Sequence, residues 1–69
     1  MEYPQISLEA ARVNAKLTQK AAARLLNINP STLGKYERGK AVPKWDMVRK
    51  MAELYQLPSD YIFFGERLA

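Results

Sequence analysis

The chain of 69 residues has no cysteine, no histidine, few glycines and no long apolar run. Without cysteine there is no disulfide framework and no thiolate metal site, which fits a reducing cytoplasm. Without histidine as well, neither a Ser-His-Asp nor a Cys-His constellation can be assembled, and only scattered carboxylates remain for acid–base work. An enzyme is not expected, nor a bound metal or cofactor, and no small-molecule site is evident. Gly34, Gly39 and Gly65 are too dispersed to form a phosphate loop. The opening MEYPQISLEA is not a basic segment followed by an apolar run, and no later stretch approaches the roughly 20 apolar residues that span a bilayer. The expectation is therefore a cytoplasmic protein without a membrane partner.

What the chain does have is 48% apolar residues, enough for one folded domain over residues 1–69 with one modest core. Its charge is unevenly spread. From Arg12 to Lys50 there are ten basic residues against Glu37 and Asp46, a net of +8, while the flanks carry Arg67 against five carboxylates, a net of −4. A cationic middle between acidic ends suits a face made for a polyanion. A membrane surface fits less well, because the basic stretch has no helix with a bulky apolar face opposite a Lys/Arg face. Charge alone leaves a polyanion-binding face and a merely solvated surface about even.

The periodicity predicts five helices and no strand. Ser7 caps the first, with Leu8, Ala11 and Ala15 on one buried face and an end near Lys16. Thr18 caps the second, whose Ala22, Ala23, Leu25 and Leu26 are expected inward, the small alanines allowing a close helix crossing. Asn27 turns the corner, since Asn tolerates the left-handed conformation. Asn29-Pro30 reads as cap and first residue of the third helix, because the N–H that proline lacks is not needed there. Leu33 and Tyr36 lie one turn apart on its buried side, which leaves Ser31, Thr32, Lys35 and Arg38 outward, and Gly39 stops it. The linker Lys40–Pro43 leads to a fourth helix over about 44–56, expected to bury Trp45, Val48, Met51, Ala52 and Tyr55. Pro58-Ser59-Asp60 opens a fifth, one to two turns long, through Tyr61, Ile62 and Phe63, closed by Phe64-Gly65. Two short amphipathic helices joined by a tight corner, the second ending in positive charge, are how a small protein presents one helix to DNA.

These residues resemble the lambda-repressor-like helix-turn-helix domains, the Cro and repressor group also called the XRE family. The resemblance rests on Arg12 ahead of Leu17-Thr18-Gln19, on Ala23, Leu26 and Ile28, on Thr32-Leu33, on Tyr36-Glu37-Arg38-Gly39-Lys40 with Pro43, and on Ala52, Leu57 and Asp60-Tyr61-Ile62. It covers roughly residues 6 to 65. Each piece alone is weak, and their order makes them specific. It implies an all-α, compact five-helix bundle with a helix-turn-helix formed by helices 2 and 3, binding double-stranded DNA without a cofactor and associated with the nucleoid when bound. The docking geometry belongs to the group's known members: the third helix enters the major groove.

On that resemblance Ser31, Thr32 and Lys35 are nearest the base edges, and Lys35 can donate to guanine O6 and N7. Thr18, Gln19, Asn29, Arg38, Lys40 and Lys44 are assigned to the DNA backbone, with Gln19 either touching phosphate or bracing the recognition helix. Plainer roles stand beside these: Thr18 caps a helix with or without DNA, Ser31 and Thr32 are ordinary first-turn polar residues, and Arg38 complements a helix dipole. Arg12 and Glu37 are implied to form a partly buried structural ion pair. The sequence also departs from its relatives. Lys16 and Asn27 stand where many of them carry glycine. Pro30 replaces a base-reading Gln, so that role is not carried over. Gly34 inside the recognition helix should weaken it by about 1 kcal/mol relative to Ala, with either a close approach of the backbone to DNA or nothing as its compensation.

The reading that follows is a minimal Cro-like or XRE-type transcriptional repressor, acting as a homodimer on a near-palindromic operator. Tyr61, Ile62, Phe63 and Phe64 are either its dimer patch or simply a closure of the core. Activation, or control of a phage or mobile-element switch, stays open. The alternative is a protein-binding module, such as an antitoxin or adaptor, built on the same fold. The polar, cationic outer face of the third helix speaks against it, because a partner-binding helix shows apolar anchors there.

Overall fold

The first two helices of this chain start at side chains that cap them. In the computed structural model, which describes residues 5–63, Ser7 Oγ accepts from the Ala10 amide at 3.0 Å and Thr18 Oγ1 from the Ala21 amide at 3.0 Å. These bonds satisfy N–H groups that the first turn of a helix otherwise leaves unpaired. The chain then runs β1 (Ile6–Ser7), α1 (Leu8–Asn14), α2 (Gln19–Leu26), α3 (Pro30–Glu37), α4 (Trp45–Tyr55), a 3-10 turn (Ser59–Tyr61) and β2 (Ile62–Phe63). Asn29 is the N-cap of α3 and Pro30 its first residue, but the Asn29 side chain makes no capping hydrogen bond.

Leu8 and Ala11 from α1, Ala22, Ala23 and Leu26 from α2, Leu33 from α3, and Val48, Met51 and Tyr55 from α4 form the core, with Ile62. Ala22 and Ala23 of α2 are fully buried, so α2 can approach its neighbours closely. Between α2 and α3 the corner is made by Asn27 at φ 61°, ψ 42°. Its amide and that of Ile28 bond back to the carbonyls of Arg24 and Ala23, which closes α2 before the chain turns.

Four expectations need correction. There are four α-helices rather than five among the described residues, because the segment after Pro58 makes only a 3-10 turn. Nor is the chain free of strand. Ile62 takes an extended φ of −113° and ψ of 129°, and β2 pairs in parallel with β1, Ile6 opposite Ile62 and Ser7 opposite Phe63. The β-branched pair favours this extended conformation, and the bridge ties the two ends of the described chain together. Leu25 is 61% exposed rather than inward. The stripe formed by Ala22, Ala23 and Leu26 is centred roughly a third of a turn away from it. Trp45 is 60% exposed rather than core. It is the first residue of α4, where Pro43 is already buried and Met47 packs against the core.

Candidate nucleic-acid interface

Helix α3 is short and two-sided. Its first turn starts on the fixed φ of Pro30, and Leu33, fully buried, anchors the helix on α2. With that side committed, Ser31, Lys35 and Arg38 are exposed and Thr32 is half-buried. Thr18 and Lys20 are exposed at the start of α2, and Gln19 between them is half-buried. Asn29 is exposed before α3, and Lys40 and Lys44 are exposed in the loop that leads to α4. Lys44 is the residue that caps α4 by position, without a side-chain bond. Exposed polar and cationic residues therefore run from Asn29 along α3 to Lys40, with Lys44 exposed beyond the apolar stretch Ala41-Val42-Pro43 and the start of α2 packed beside α3.

The orientation of α3 is set by a carboxylate. Glu37, the last residue of α3, accepts from Arg12 Nε at 2.7 Å through Oε2 and from Arg12 Nη2 at 3.3 Å through Oε1. Gln19 Nε2 donates to the same Oε1 at 3.0 Å. Arg12 Nη1 reaches the Leu17 carbonyl at 2.9 Å, and Glu9 stands 3.8 Å from Nη2. One guanidinium thus joins α1, the α1–α2 turn and the end of α3, while Gln19 adds the start of α2. The side chains of Arg12 and Glu37 are 10% and 3% exposed. Bidentate geometry with the remaining acceptors and donors engaged is what lets a charged pair persist in that position. The Arg12 pKa is raised above its ordinary value, chiefly by the hydrogen bonds to Glu37, with burial acting the other way.

Of the residues expected to act at the interface, Gln19 is thus held by Glu37 and braces α3. Tyr55, read from sequence as core alone, lies near the same pair. Its hydroxyl is buried with no hydrogen-bond partner among the described residues, and its pKa is raised to about 12, chiefly by burial and also by Glu37, with Arg12 opposing. Nothing in its spacing distinguished it from Val48 or Met51. The expected apolar patch at the C-terminal end is divided. Ile62, 2% exposed, belongs to the core and is withdrawn from the patch, because β2 turns it against Leu8 and its neighbours in the buried cluster. Tyr61 is half-buried. The Phe63 side chain and Phe64 lie outside the described residues. No helix among the described residues is long and apolar enough to cross a membrane.

A family model described as a helix-turn-helix domain matches residues 6–61. Over 55 residues the chain is 42% identical to the HTH-type transcriptional regulator ImmR of Bacillus subtilis (strain 168), an alignment that covers 80% of the chain and 43% of the relative. The chain spans less than half the length of that curated relative. No solved structure matched. With α2, the Asn27 corner and α3 all inside the matched span, the chain belongs to the helix-turn-helix domain family, in its XRE-like group.

Proposed function

We propose that the protein is a sequence-specific, double-stranded DNA-binding transcriptional regulator that inserts α3 into the major groove. The observation that carries this reading is the two-sidedness of α3: Leu33 is wholly buried, Glu37 is locked to Arg12 and Gln19, and Ser31, Lys35 and Arg38 stand in solvent on a helix held at three places. A rigid helix with a cationic outer face suits a groove lined by phosphates. In this reading Ser31, Thr32 and Lys35 meet base edges, while Thr18, Gln19, Asn29, Arg38, Lys40 and Lys44 meet the backbone. The similarity to a transcriptional regulator supports the same class, and nothing in this role calls for a catalytic group.

The finer reading is a Cro-like or XRE-type repressor that binds as a homodimer, with recognition helices about 34 Å apart on a near-palindromic operator. A single module buries limited surface on DNA, so doubling it supplies the affinity. The dimer contact is assigned to Tyr61, Phe63 and Phe64. A protein-binding module is the second reading, favoured by the exposure of Leu25 and Trp45, two large apolar side chains outside α3.

The deciding experiment is affinity selection of random duplex DNA on the purified protein at about 0.15 M salt, where non-specific binding is already weakened. An enriched inverted repeat with half-sites one helical turn apart is the expected result. Retained DNA without any enriched sequence would overturn the sequence-specific reading and turn attention to a protein partner.

A further inference from the structure

Gly34 sits in the middle of α3, where glycine is poor helix material and no left-handed φ calls for it. Its explanation is in what passes over it. A Cβ built at Gly34 would stand 3.1 Å from Arg38 Nη1, 3.8 Å from Arg38 Cζ and 3.6 Å from Gln19 Nε2. Helical side chains lean back toward the preceding turn, so the arm of Arg38 runs N-terminally along α3 and lays its guanidinium over the bare backbone four residues earlier. Gln19, its neighbour there, is itself fixed by the bond to Glu37. The missing methyl therefore leaves room for a cation close against the recognition helix.

We propose that Gly34 is a positioning residue: it seats the Arg38 guanidinium against α3 beside Gln19, ready to meet a DNA phosphate. The inference rests on the DNA-binding reading above and deepens it. A long, exposed arginine normally gives up rotamer freedom when it binds, and a seat on the helix removes part of that cost beforehand. The planar guanidinium suits a phosphate. Alanine at position 34 would crowd only the far end of a flexible side chain, so the fold accepts it, but the guanidinium must give way from its seat by a few tenths of an ångström. Stability and DNA affinity should then move in opposite directions, which a merely structural glycine would not produce.

The test is a double-mutant cycle on the full chain with Gly34→Ala, Arg38→Ala and the double variant, reading duplex affinity, its salt dependence and Tm. Gly34→Ala should raise Tm by roughly 4 °C or more through better helix propensity. It should weaken duplex binding toward the roughly ten-fold loss of Arg38→Ala, the order of a charge-assisted hydrogen bond, and flatten the salt slope by up to about one unit. In the Arg38→Ala background it should cost nothing more. An equal loss in both backgrounds, or no loss in either, overturns the seat while leaving DNA binding intact. A wild-type chain that retains no duplex overturns the DNA reading and this inference together. Nuclear Overhauser contacts between the Gly34 α-protons and the Arg38 side chain in the DNA-free protein are expected, and their absence also overturns the seat.

Discussion

Arg12 Nε on α1 lies 2.7 Å from Glu37 Oε2 at the end of α3, across a separation of 25 positions in the chain. The contact joins the helix expected to read DNA to the first helix of the fold, and Gln19 shares the same carboxylate. Arg12→Ala leaves Glu37 buried without its cation, and Glu37→Ala does the same to Arg12. Either should cost roughly 3–5 kcal/mol, which would leave a domain of this size largely unfolded at 25 °C. Replacing both with methionine should recover much of the loss, because the buried charge goes together with its partner. Urea denaturation of the three variants measures this, and a loss below 1 kcal/mol for either single change would mean that the pair is weakly coupled to folding.

Tyr55 supplies a pH dependence of known sign. Its ordinary pKa of 10.0 is raised to about 12 in the folded chain, first by burial and then by Glu37. Below pH 10 both folded and unfolded chains keep the phenol proton, so this residue leaves stability intact. Between about 10 and 12 the unfolded chain loses its proton first, and stability falls by an amount on the order of 2 kcal/mol as pH rises through the folded value. Tyr55→Phe should remove that part of the alkaline decline. It should also raise stability near neutrality by about 1 kcal/mol, since the deleted hydroxyl is buried and has no described partner. Denaturation midpoints at pH 7 and pH 11 for the two proteins decide both halves.

Three side-chain-bearing residues, Lys16, Asn27 and Gln56, hold φ values of 64°, 61° and 59°. Lysine and glutamine tolerate that left-handed region poorly, whereas asparagine enters it readily. Lys16→Gly and Gln56→Gly should therefore each stabilise the fold by about 0.5–1 kcal/mol, the strain relieved exceeding the extra entropy of the unfolded chain. Asn27→Gly should change little. Thermal denaturation at neutral pH orders the three, and a larger gain at Asn27 than at Lys16 would contradict the argument.

The helix starts were legible because they depend on neighbours in sequence: Ser7 and Thr18 bond to amides three residues on, and Pro30 fixes its own φ. The outward residues of α3 follow from helical spacing once Leu33 is placed inside. Features set by distant partners were not legible in the same way. Ile62 is extended because Ile6, at the other end of the chain, pairs with it, and a local apolar run carries no sign of that. Leu25 and Trp45 lie at the margins of their helical stripes, where one residue's difference in packing decides exposure. Gly34 read as a weakness in α3, because the Arg38 and Gln19 side chains that fill its space are known only once α2 and α3 are packed.

Lys35 and Lys40 are both exposed cations within one stretch of six residues, yet the proposed docking gives them different work. Lys35 lies on the outer face of α3 with Ser31 one turn before it, where a side chain can reach base edges. Lys40 follows the Gly39 stop, which has a φ of 75°, and so stands beyond the helix end in the loop to α4. A base contact discriminates among sequences, and a phosphate contact does not. Lys35→Ala should thus cost roughly 1–3 kcal/mol on the selected site, far less on unrelated DNA, and relax base choice at one position. Lys40→Ala should weaken all sequences alike and lower the salt slope by about one unit. Fluorescence titration of each variant against the selected site and a scrambled duplex, at several salt concentrations, separates the two roles. Equal losses for both variants on every duplex would mean that α3 meets DNA only through phosphates, and that sequence is read by some other part of the chain.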